Sequence, residues 1–86
     1  MQTSNVVVGR NWTQVAADTD QELLVTWESI VELEVATTSS NTAPTVVGHR
    51  LSRVDAVSRG VFPSGFVWVK LVSSGPQSDV VLVVSK

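Results

Sequence analysis

The chain has 86 residues, eight Asp and Glu against six Lys and Arg, one histidine and no cysteine. That is room for a single β domain over residues 1–86, with 1–4 expected as a flexible arm, and it excludes disulfides, thiolate metal sites and, with His49 alone, a structural zinc set. A net charge of −2 gives no pull toward nucleic acid or an anionic membrane, and no apolar run approaches the roughly 20 residues that cross a bilayer.

Valine occurs 19 times. Side chains branched at Cβ lose rotamer freedom in helices and fit a pleated surface, so strands are predicted throughout. The opening Met1-Gln2-Thr3-Ser4-Asn5 lacks the basic region and apolar core of a secretory signal, which predicts synthesis in a cytoplasm. A first strand is predicted at 5–8 and, after Gly9, a second at 13–16. Asn11-Trp12-Thr13 matches a glycosylation sequon and is read as a chance match. Asp18-Thr19-Asp20-Gln21-Glu22 alternates acids like a calcium loop but lacks its glycine and distal glutamate, so it reads as a polar turn. A third strand is predicted at 22–27, closed by the turn Glu28-Ser29.

The clearest strand is the fourth, at 31–37. Val31, Leu33 and Val35 share one face and Glu32 and Glu34 the other. Those carboxylates would lie about 7 Å apart, within the range of a glycosidase pair, but two glutamates on one strand read as its wet face. The segment 37–44 is the longest polar loop and the expected mobile one. A fifth strand follows at 46–51. Leu51, Val54 and Val57, three apart, leave one helical turn open as the alternative to a strand with an irregular connection. The sixth strand is predicted at 57–62, the seventh at 66–72 and the eighth at 79–85, separated by Pro63-Ser64-Gly65 and Ser73-Ser74-Gly75-Pro76. The last two are apolar on both faces, which places them centrally or under another chain. The sum is an all-β fold, a single small antiparallel β-sandwich or jelly-roll-like barrel of seven or eight short strands.

Chemistry is sparse. His49 is the only imidazole a serine triad could use, and Ser64 in Phe62-Pro63-Ser64-Gly65 lacks the first glycine of a nucleophile elbow. Phosphate-binding loops and dinucleotide fingerprints are absent, so no catalytic residue, cofactor or metal is assigned and the chain reads as a non-enzyme. Arg50, Arg53 and Arg59, balanced only by Asp55, form a local positive patch: a solvated face, or a surface that docks on an acidic protein. Of the tryptophans, Trp68 is expected in the core, while Trp12 could pack inside or anchor a partner. Burial and chain ordering nearly cancel at this size, so the missing stability is expected from oligomerisation or docking.

The order of these features carries a resemblance. Trp12-Thr13-Gln14-Val15-Ala16 precedes a Leu-Val-Thr strand. A second strand then runs into a loop ending Ala43-Pro44. Gly48-His49-Arg50-Leu51 and Pro63-Ser64-Gly65-Phe66-Val67-Trp68-Val69-Lys70 follow, before a last valine-rich strand. From about residue 12 to residue 85 this layout is similar to small tailed-phage virion proteins of the head-decoration, capsid-cement or head-fibre type. The resemblance implies a homotrimer on the capsid surface of the virion, bound to the major capsid protein and holding neighbouring capsomers together. It carries over no catalytic residue. A fibre-tip or carbohydrate-binding module that uses exposed tryptophans is the alternative.

Overall fold

A computed structural model describes residues 2–52, 54–72 and 79–86; the expected turn at 73–76 and Arg53 lie outside the described residues. The elements are β1 (Thr3–Val8), β2 (Thr13–Ala16), β3 (Leu24–Thr26), β4 (Leu33–Thr38), β5 (His49–Leu51), β6 (Val57–Ser58), β7 (Phe66–Leu71) and β8 (Val80–Ser85). They form two four-stranded antiparallel sheets, ordered β1-β8-β3-β6 and β2-β7-β4-β5. The all-β, sandwich-like expectation therefore holds. Thr3 and Ser4, expected in a terminal arm, are instead the first residues of β1, opposite Ser85 and Val84.

The core sits between the sheets and follows the period of two. Val80, Leu82 and Val84 of β8 and Val67, Val69 and Leu71 of β7 all point into the interior, each 3% exposed or less. Each such side chain contributes roughly 1.5–3 kcal/mol of burial. Both apolar strands are central, β7 between β2 and β4 and β8 between β1 and β3. Trp27 is the core tryptophan, 3% exposed, with its indole Nε1 donating to the Val31 carbonyl at 3.3 Å.

Three departures have local causes. Val15 and Ala16 are both buried although adjacent, because β2 slips register between Gln14 and Ala16 against β7, a bulge that turns one extra residue inward. The predicted sixth strand shortens to Val57–Ser58, since the Val61 and Phe62 amides fold back onto the Ser58 carbonyl at 3.1 and 2.8 Å. Between β5 and β6 the described residues carry no helix. There the Ser52 amide donates to Asp55 Oδ2 at 2.9 Å and the Asp55 amide to the Ser52 carbonyl at 2.9 Å.

Candidate interaction surface

Alternation decides what each sheet shows to the outside. On the β2-β7-β4-β5 sheet the register aligns Lys70, Glu34 and Arg50 across β7, β4 and β5. One row along, Gln14, Trp68 and Ala36 align across β2, β7 and β4. Trp12, just before β2, lays its ring over the first row, with Lys70 Nζ 4.7 Å from the ring centroid. Lys70 Nζ also lies 3.6 Å from Glu34 Oε2. The Gly48 amide donates to Glu34 Oε1 at 3.3 Å.

Glu34 is consequently 8% exposed. The expected pair of wet glutamates does not form: Glu32 is exposed just ahead of β4, whereas Glu34 is covered by Trp12 and paired beneath it. Burial of the carboxylate is tolerable because a cation and a backbone N–H both reach it. Gly48 is part of this lid. A Cβ there would stand 2.9 Å from Trp12 Cη2 and 2.7 Å from the Val35 carbonyl oxygen.

Trp68, expected in the core, lies half-buried on this same outer face. Its neighbours Val67 and Val69 take the interior, so parity turns the indole outward. There Trp68 Nε1 donates to Thr38 Oγ1 at 2.9 Å, and Thr38 Oγ1 donates to the Ser40 carbonyl at 2.7 Å. Gln14 Nε2 donates to Asn41 Oδ1. Thus the loop after β4 is tied down beside the aromatic face.

Of the expected arginine patch, the two described members, Arg50 and Arg59, serve different ends. Arg50 is exposed on the edge strand β5, on the Trp12 face. Arg59, half-buried after β6, donates among the described residues to backbone carbonyls only: Nε to Asp20 at 2.9 Å, Nη2 to Ala17 at 2.7 Å, and Nη1 to Phe62 at 3.3 Å and Gly65 at 3.1 Å. It staples the loop after β2 to the loop before β7. The acids of that first loop are occupied the same way, with Asp18 Oδ1 accepting from the Gly65 amide at 2.9 Å and Asp20 Oδ2 from the Ala17 amide at 2.8 Å.

The opposite outer face is different in kind. The register of the β1-β8-β3-β6 sheet sets Thr3, Ser85 and Leu24 in one row, Asn5, Val83 and Thr26 in the next, then Val7 and Val81. None is charged. Val7 is 61%, Val81 50%, Leu24 45% and Val83 39% exposed. No signal in a single strand could mark Arg59 or the lid over Glu34, but the paired valines of this face were readable as the second side of an apolar strand.

No family model, curated protein or solved structure matches this chain. What the fold and surfaces define is a class: a small all-β sandwich whose two outer faces carry its candidate contacts.

Proposed function

We propose that the chain is a non-catalytic structural protein of a tailed-phage virion, a head-decoration or capsid-cement protein that bridges neighbouring capsomers. The observation that carries this reading is the pair of opposed outer faces. One is valine-rich, with Glu28 and Asp79 at its border, the other aromatic with Arg50 at its edge. The molecule between them is a slab with a shortest extent of 18 Å, so two neighbours can be touched at once. Large exposed apolar area on so small a domain supports a surface meant to be covered. On this reading Trp12 and Arg50 face the major capsid protein, the valine face meets another subunit, and modest contacts add by avidity on the capsid exterior. Arg59 is withdrawn from the contact set, because its donors serve the fold.

The test is to add the protein to heads assembled without it. Binding that raises the head disruption temperature, and that weakens in Arg50→Glu, is the expected result; absence of binding overturns the reading. The second reading, a carbohydrate-binding module, is favoured by one observation: Trp12 and Trp68 share a face with Gln14 and Asn41, and ring faces next to amides suit sugars. A saturable tryptophan-fluorescence change on glycan titration, lost in Trp68→Ala, would favour it over the capsid reading.

A further inference from the structure

We propose that β1 pairs with β1 of a second copy of this chain, antiparallel across a two-fold axis at Asn5. Four strands sit at sheet edges, and three carry features that discourage pairing with another chain. β6 has two residues, β2 is broken by its bulge, and β5 has three residues with Arg50 at its centre. β1 has none of these. It runs six residues, Thr-Ser-Asn-Val-Val-Val, with no charge, proline or bulge. Natural edges of this length are normally blunted unless they are meant to pair.

The backbone phase fixes which groups point outward. Gln2 and Lys86 exchange both amide-to-carbonyl bonds, at 2.8 and 3.1 Å. Antiparallel bonding alternates, so Ser4, Val6 and Val8 point their N–H and C=O groups at β8, and Thr3, Asn5 and Val7 point theirs at the open edge. Among the described residues no backbone partner meets these outward groups. The next outward carbonyl, Gly9, accepts from the Leu71 amide at 2.8 Å, which marks where the open edge ends.

One register satisfies all of them. With the axis at Asn5, Thr3 faces the partner's Val7, Asn5 faces the partner's Asn5 and Val7 faces the partner's Thr3. Each pair exchanges both of its hydrogen bonds. Among the described residues, moving the axis by one residue in either direction leaves Thr3 or Val7 of each copy without an open described partner. The side chains of β1 that meet across the axis carry no charge; the nearby carboxylates Glu28 and Asp79 line the groove beside Asn5. The two valine faces join into one continuous surface of eight strands. The edge is about 20 Å long, so strand pairing alone buries less than a standard interface of about 1,200–2,000 Å², and the pair should dissociate on dilution.

This inference stands apart from the virion reading: heads that fail to bind leave it untouched, and its failure leaves head binding untouched. The register is tested by cysteine scanning in a chain that has no native cysteine. Opposed residues of such a pair have Cα atoms about 5.5 Å apart, inside the disulfide range of about 4.4–6.8 Å. Two copies of Thr3, or of Val7, would be about 14 Å apart. Asn5→Cys should therefore cross-link under mild oxidation at least about tenfold faster than Thr3→Cys or Val7→Cys alone. The Thr3→Cys/Val7→Cys double variant should recover the fast reaction. Asn5→Pro removes only an outward N–H, leaving the β8 ladder whole, and should sediment as a monomer at concentrations where the unmodified chain is dimeric; Asn5→Lys should do the same. Equal cross-linking of all single variants, or an unmodified chain that is monomeric at every concentration, overturns the proposal.

Discussion

Four backbone carbonyls converge on the Arg59 guanidinium, and a lysine could reach one or two of them at most. Hydrogen bonds to a charged donor contribute about 1.5–3 kcal/mol each when buried and less when half-exposed. Arg59→Lys should lower stability by about 2 kcal/mol, read as a lower urea midpoint with the slope unchanged. Gly48 makes a second residue-level case, because its missing Cβ leaves room for both the Trp12 ring and the Val35 carbonyl. Gly48→Ala should destabilise by about 1–3 kcal/mol, and Trp12 emission should shift to the red as its ring lifts from Lys70. Neither role was legible beforehand. Carbonyl acceptors have no side-chain signature, and the lid over Glu34 comes from a residue 22 positions earlier. Alternation along β4 could tell which side Glu34 takes but not what covers that side.

At the level of strands, β8 separates the two kinds of valine. Leu82 is fully buried, while Val81 and Val83 lie on the open face. Leu82→Ala should cost about 2–5 kcal/mol, whereas Val81→Thr and Val83→Thr should stay within about 0.5 kcal/mol in the isolated subunit, all by chemical denaturation. The positions of β2, β7 and β8 were legible because branched apolar residues recur at period two between firm turn residues. Trp68 was legible too, had parity with Val67 and Val69 outweighed the habit of placing tryptophan in a core. The sixth strand was overlong because Val61 and Phe62 continue the apolar composition of β6 while their amides close a turn. Leu23 and Trp27 likewise flank β3 as buried residues outside its ladder, so burial alone overstated that strand.

Across the molecule, among the described residues, only β4 and β5 are consecutive strands that pair with each other. Every other ladder closes a longer loop before any contact rewards it, which places refolding in the millisecond-to-second range. Stopped-flow fluorescence from Trp27 should show a single slow phase there, and amide exchange should be slowest in β7 and β8, the central strands. Two backbone hydrogen bonds tie Gln2 to Lys86, so the two ends of the described chain leave the rim side by side. Cargo tethered before Gln2 and cargo tethered after Lys86 would be displayed at one point rather than at opposite poles. A few residues joining those positions would turn the backbone into a ring, which could be reopened in the exposed 39–43 loop to give a permuted chain with the same sandwich.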